Sequence, residues 1–177
     1  MRTHVVHLYE KIGSVATNFT NFSESLFTLG SFPVIAMVTN NSLELPSRQT
    51  LIKQFNLKPF EIIQGHFDLF IKKSNSLDVY LKDIMFTDEI EIDLEEAIEE
   101  ALRNKDYDEL YDLIKEVREE HTDIFSISFI YEQKLYRMTK YAVAEVLGET
   151  NDIPNIIVQS PLSLIAGLKK FPSSNTH

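Results

Sequence analysis

The sequence predicts a mainly α protein, and three stretches of it support this fold class. Residues 45–73 carry apolar side chains three and four positions apart in two short runs, which predicts two helices joined by a tight turn. Residues 93–117 contain two helix-start signals in succession, and residues 123–147 form the longest run of recurring apolar residues. The C-terminal half is therefore predicted to hold a helical hairpin followed by one long helix.

The N-terminal segment has apolar residues at helical spacing over 3–16 and over 23–32, so both are predicted to be helices. Pro33 interrupts or kinks the second pattern, which continues apolar over 34–38. His4, His7 and Glu10 are spaced three apart and would share one helical face, where they could bind a metal ion. Because no fourth ligand lies close in sequence, we interpret this face as an exposed polar surface.

The pair of helices over 45–73 is predicted from its end signals. Ser47 is a good N-cap for a first helix over 48–55, and Asn56 tolerates the left-handed conformation that ends a helix. Pro59 suits the first position of a second helix that runs to about residue 72. Two short helices joined in this way form the unit that places a recognition helix in the DNA major groove.

Five short matches extend this interpretation: Leu45-Pro46-Ser47, Leu51, Asn56-Leu57, Ile62 and Gly65. They resemble the winged helix-turn-helix domains of GntR-family bacterial regulators and of phage and plasmid replication proteins. Those domains share an L-P-S start, a Leu four residues after the Ser, a Gly-Val turn and a Val-x-x-Ala recognition helix. The resemblance implies a winged-helix domain over residues 1–86, including the N-terminal helix.

The resemblance also implies a DNA-associated regulator or replication accessory protein that binds duplex DNA as a homodimer. Basic and polar side chains of the first helix and the turn would contact phosphates, and two side chains of the second helix would lie near base edges. The implied DNA-binding residues are Ser47, Arg48, Gln49, Lys53, Lys58, Gln64, His66, Lys72 and Lys73.

The charge distribution supports an alternative function. The net charge is −10, and residues 77–123 contain eighteen acidic residues against five basic ones. In this alternative the chain is a non-catalytic module that binds a basic protein, either on a winged-helix scaffold or as an acidic mimic of DNA. The predicted partner-binding residues are Phe60, Phe67 and Phe70 on the second helix, with Glu95 and Glu99 on the acidic hairpin.

The C-terminal half is predicted as a helical domain over residues 87–171, with a disordered tail over 172–177. Asp93 with Glu96 and Asp106 with Glu109 form the capping signals of the hairpin. The long helix that follows ends at Gly148 and is predicted to be the spine of this half or a dimer interface. A last short helix covers 162–170.

The sequence also argues against several classes of protein. It has no Cys, no apolar N-terminal signal region and no apolar stretch long enough to cross a membrane, which predicts a cytoplasmic protein. The acidic run at 88–100 lacks the Gly that a calcium-binding EF-hand loop requires. Because the chain also lacks a phosphate-binding Gly loop and a nucleophile elbow, we expect no enzyme activity, metal or cofactor.

Overall fold

The computed structural model describes residues 3–11, 26–28, 34–39 and 45–147, which form four helices and eight strands. The strands are β1 Thr3–Lys11, β2 Leu26–Thr28, β3 Val34–Thr39, β4 Leu57–Pro59, β5 Tyr80–Phe86, β6 Ile124–Tyr131, β7 Lys134–Thr139 and β8 Val143–Leu147. The helices are α1 Leu45–Gln54, α2 Gln64–Lys73, α3 Ile92–Asn104 and α4 Tyr107–Glu119.

The centre of the fold is an antiparallel sheet, so the predicted mainly α fold is wrong. Its strands lie in the order β2-β3-β1-β8-β7-β6-β5, and β4 pairs with one end of β1. Helices α2, α3 and α4 bury their apolar sides against one face of the sheet. Helix α1 packs on the opposite face, at the end formed by β1, β3 and β4.

The predicted long helix over 123–147 is the three-stranded meander β6-β7-β8. Buried and half-buried side chains alternate along β7 and β8, a period of two that places one set on the helix-covered face. Glu132 and Gln133 form the turn between β6 and β7 with φ of 45° and 63°, as a two-residue hairpin turn requires. Since Gly and Asn are the usual residues at these positions, the sequence carried no turn signal here. Because this segment is not a helix, the dimer interface that was predicted on it has no structural support.

The first predicted helix is β1, at the centre of the sheet. One edge of β1 pairs with β3, and the other pairs with β8 and then with β4. Strands β1 and β5 precede the predicted domain boundary between residues 86 and 87, and they pair with β8 and β6, which follow it. The boundary therefore does not divide the described residues into two domains. Residues 34–38, which continue the apolar pattern after Pro33, lie in strand β3. Gly148, the last predicted helix and the tail lie outside the described residues.

Helices α1 and α2 overlap the predicted pair, but α2 begins at Gln64 and not at Pro59, and the two helices do not form a helix-turn-helix. Asn56 has the expected left-handed conformation, with φ of 51°. The following residues 57–59 then pair with β1 as a strand, and the Phe60 amide donates to the Leu8 carbonyl at 3.0 Å. As a result α1 and α2 belong to separate hydrophobic clusters on opposite faces of the sheet.

The main core lies between the sheet and helices α2–α4, and aromatic rings form its centre. The Phe70 and Phe129 rings meet edge to face with centroids 4.9 Å apart, and Tyr136 stacks on Phe129 at 5.1 Å. Burial raises the pKa of Tyr136 to about 12, because the phenolate would lose its hydration there. These rings attach α2 to the middle of the meander.

Tyr107 covers part of the edge of β5 that is not paired with another described strand. Its hydroxyl accepts a hydrogen bond from the Leu81 amide at 3.0 Å and donates to the Val79 carbonyl at 3.4 Å. Burial is also the main reason that the pKa of Tyr107 is raised. A helical side chain therefore supplies the hydrogen bonds that a neighbouring strand would otherwise make.

Tyr107→Phe is expected to lower the free energy of unfolding by about 1–2 kcal/mol, because the buried Leu81 amide loses its acceptor. Chemical denaturation followed by circular dichroism measures this change. Tyr111→Phe, on the half-buried side of the same helix, is the matched control and should differ little from the wild type. Equal stability of Tyr107→Phe and the wild type would show that the hydroxyl does not support this edge.

Candidate functional site

Helices α3 and α4 form a two-helix layer whose outer surface is acidic. The buried side of α3 consists of Ile98, Ala101 and Leu102, and that of α4 of Tyr107, Leu110, Ile114 and Val117. Their acidic side chains are exposed. We call residues 88–120 the acidic layer.

The turn within the acidic layer follows the sequence signals only in part. The Asp106 side chain accepts a hydrogen bond from the Glu109 amide at 3.0 Å, which confirms the predicted N-cap of α4. Lys105 ends α3 in a left-handed conformation with φ of 58°. Helix α3 begins at Ile92, so Asp93 lies in its first turn, where it complements the helix dipole, and is not the predicted N-cap.

The acidic layer carries the whole net charge of the protein. It contains fifteen acidic and four basic residues, a net charge of −11, against −10 for the entire chain. The rest of the chain therefore has a net charge of +1. A charge concentrated in this way on one side produces a strong local potential that attracts cationic partners.

Three of the four cations in the acidic layer are already engaged within the protein. Arg118 forms a bidentate ion pair with Asp68 of α2, and Lys115 pairs with Asp112 on its own helix. Lys105 lies over the Tyr80 ring at 4.7 Å. The carboxylates that face solvent thus outnumber the free cations beside them.

Glu95 and Glu99 are the predicted partner-binding carboxylates, and both are exposed on α3. They are four residues apart, so they lie one above the other on the same side of the helix, about 6 Å apart along its axis. The structure places both on the solvent side of the acidic layer.

The other predicted partner-binding residues, Phe60, Phe67 and Phe70, do not lie at the surface. Their exposed fractions are 2%, 1% and 1%, and all three belong to the main core. The sequence pattern marked them as apolar, but it did not show that a sheet covers the side of α2 on which Phe67 and Phe70 lie. They stabilise the fold and offer no surface to a partner.

The predicted base-reading residues are used inside the protein. The Gln64 amide group donates to the Ile124 carbonyl at 3.1 Å and accepts from the Ile124 amide at 2.9 Å, and so joins α2 to β6. His66 is 8% exposed, and its Nδ1 accepts a hydrogen bond from the Ile63 amide at 3.0 Å. Neither side chain is directed at solvent as a base contact requires.

The predicted phosphate-binding residues are divided among separate elements. Gln49 and Lys53 are exposed on α1, and the side chains of Ser47 and Arg48 lie outside the described residues. Lys58 lies on β4 and pairs with Glu10 at 3.1 Å. On the other side of the sheet, Lys72 lies 3.8 Å from the Tyr111 ring centroid and Lys73 is half-buried at the end of α2. These cations do not form one basic surface.

The considered metal face over His4, His7 and Glu10 does not exist, because β1 is a strand. The His4 side chain lies on the helix-covered face of the sheet with Val6, and His7 lies on the other face with Tyr9. In the described ranges no group of three His, Cys, Asp or Glu side chains is arranged to hold a metal ion.

Comparison with known proteins adds no family to this geometry. We found no match for the chain among protein-family models, curated proteins or solved structures. Within the described ranges no helix has the length and apolarity to cross a membrane. The charge and geometry of the acidic layer are therefore the main basis for a functional proposal.

The sequence interpretation missed two groups of polar residues that the fold brings together. One is the pair formed by Asp68 and Arg118, fifty positions apart. The other consists of Ser126 and Arg137, which lie on neighbouring strands of the meander. The alternation of polar and apolar residues over 124–147 is the signal that could have placed the second group on one face of a sheet.

Proposed function

We propose that this chain is a non-catalytic interaction module that binds a basic protein through its acidic layer. The net charge of −11 on residues 88–120 carries this proposal. Two helices fixed by the core and by Asp68 present the carboxylates in a constant arrangement, so binding needs little ordering of the backbone. We place the interaction in the cytoplasm, with which the absence of Cys from the chain agrees.

The DNA-associated role implied by the winged-helix resemblance has less support. Gln64 and His66 make internal hydrogen bonds, and the predicted phosphate contacts are spread over both faces of the sheet. Proteins that bind duplex DNA gain most of their affinity from cations that neutralise phosphates. The acidic layer would repel the same phosphates.

Electrostatic binding of this kind has a defined dependence on salt. Charges on the acidic layer attract a partner over roughly 10 Å at about 0.1 M salt, and this range shrinks as salt is added. A partner that itself binds DNA would have a positively charged groove, so DNA would compete with the acidic layer for this groove. Competition by DNA would therefore identify the layer as an acidic mimic of DNA.

Replacing Glu95 and Glu99 together by Gln is expected to weaken capture of a basic partner roughly fivefold, because two carboxylates on one helix side lose their charge. The bait is the immobilised full chain, the source is nuclease-treated lysate of the native host, and retention is measured at about 0.1 M and 0.5 M salt. Glu61→Gln with Glu132→Gln removes two exposed carboxylates outside the layer and is the matched control.

Two results would contradict the proposal. One is retention that does not change with salt, and the other is an equal loss of retention in the control variant. Fluorescence anisotropy with labelled duplex DNA at low salt tests the competing role. Salt-sensitive DNA binding that is lost in a Gln49→Ala and Lys53→Ala double variant would replace the interaction module by a DNA-associated function.

A further inference from the structure

Polar side chains lie together on the sheet face away from helices α2–α4. The register pairs Met85 with Ser126 and Ser126 with Thr139, and pairs Ser128 with Arg137. Directly opposed residues of antiparallel strands point to the same side of the sheet. Arg137 therefore shares this face with Ser126, Ser128, Thr139 and Met85, and also with Glu145 on the neighbouring strand β8.

The Arg137 guanidinium has an unusual neighbour. Glu145 is directly opposite it in the register, yet among the described residues Arg137 forms no ion pair with this or another carboxylate. Its Nη2 instead donates to the Met85 Sδ at 2.9 Å. A thioether sulfur is a weak acceptor, and a guanidinium remains charged in proteins.

Two donors in this patch are buried without an acceptor. In the part of the chain that the structure describes, the Arg137 Nε and the Ser126 Oγ have no hydrogen-bond partner, and Ser126 is only 1% exposed. Buried polar groups in proteins almost always have a partner, so two exceptions on adjacent strands indicate a missing acceptor.

The geometry of the guanidinium indicates what the missing acceptor is. The Nε–H and one Nη2–H lie parallel on one edge of the planar group and form a fork that matches two oxygens of a carboxylate or a phosphate. In this structure Nη2 donates to the Met85 sulfur, and Nε has no acceptor among the described residues.

We propose that Arg137 and Ser126 bind an oxyanion, a carboxylate or a phosphate group, which takes the place of the Met85 thioether. Met85 is 41% exposed, and its unbranched side chain can move to admit the anion. The carboxylates of Asp83 and Glu145 flank the patch, so the affinity is weak, on the order of millimolar.

The proposed site is independent of the acidic layer, because helices α3 and α4 lie on the other side of the sheet. Failure of one proposal therefore leaves the other standing. The probes are inorganic phosphate and acetate, titrated into the full chain at constant ionic strength while amide resonances are recorded by NMR. Saturation by phosphate alone identifies a phosphate site, and saturation by acetate alone identifies a carboxylate site.

The expected result is a saturable shift of the Ser126 and Arg137 amide resonances. Arg137→Lys keeps the charge but removes the fork and should weaken binding about tenfold, whereas Lys134→Gln on the same strand is the control and should not. Met85→Ala should tighten binding several-fold, a gain that loss of folding cannot imitate. Resonances that do not move with either probe, or equal weakening in Arg137→Lys and Lys134→Gln, would overturn the proposal.

Discussion

Phe70→Ala is expected to lower the free energy of unfolding by about 3–5 kcal/mol. The Phe70 ring is 1% exposed and meets the fully buried Phe129 ring, so removing it leaves a cavity between α2 and the meander. The change is measured as the shift in the urea midpoint, with circular dichroism and aromatic fluorescence recorded on the same samples.

Tyr141→Ala is the matched control for this substitution, since the Tyr141 side chain is 66% exposed and its removal should cost less than about 1 kcal/mol. The comparison also tests the site predicted from sequence, in which Phe70 contacts a partner. An unchanged urea midpoint together with weaker partner capture would show that Phe70 lies at the surface and contacts a partner, and not in the main core.

Asp68→Ala is expected to lower the free energy of unfolding by about 2–3 kcal/mol. Asp68 and Arg118 are about one-fifth exposed, and their bidentate pair joins α2 to α4. Removing the carboxylate leaves the partly buried guanidinium without its anion, which costs more than the lost attraction alone. Thermal or urea unfolding of the full chain measures the loss.

A double-mutant cycle with Arg118→Ala separates the pair from the side effects of each substitution. The double variant should be more stable than the sum of the two single losses predicts, by about 1–2 kcal/mol, because it leaves no unpaired charge. Strictly additive losses would mean that the pair does not couple α2 to α4. The exposed pair of Lys115 and Asp112 is the control and should show weaker coupling.

The helices that the sequence predicted well are those whose signals are local. Asp106 with Glu109 marked the start of α4, and the apolar spacing of α3 and α4 marked the side that is buried. The acidic surface of the two helices followed from the same pattern. This part of the candidate site could therefore be predicted from sequence, including the positions of Glu95 and Glu99.

The sheet could not be predicted in the same way, because its evidence is not local. In the stretch 124–147 apolar residues recur often enough to satisfy both a helical period and an alternating one. Strand β1 belongs in the sheet because of pairing with residues 34–39 and 143–147, which lie far away in the sequence. Gln64 and Phe70 both contact strand β6, so their internal positions depend on the meander. The sequence alone predicted both side chains to lie at a binding surface.

The central position of β1 has a consequence for biosynthesis. The pairing of Thr3 with Leu147 joins residues that leave the ribosome far apart in time. Until β8 is synthesised, one long edge of β1 lacks its main neighbour and can pair with another nascent chain. Contacts between residues so distant in sequence also slow folding in general. The last strand of the meander thus completes the middle of the sheet, and a chain arrested before it would be prone to aggregate.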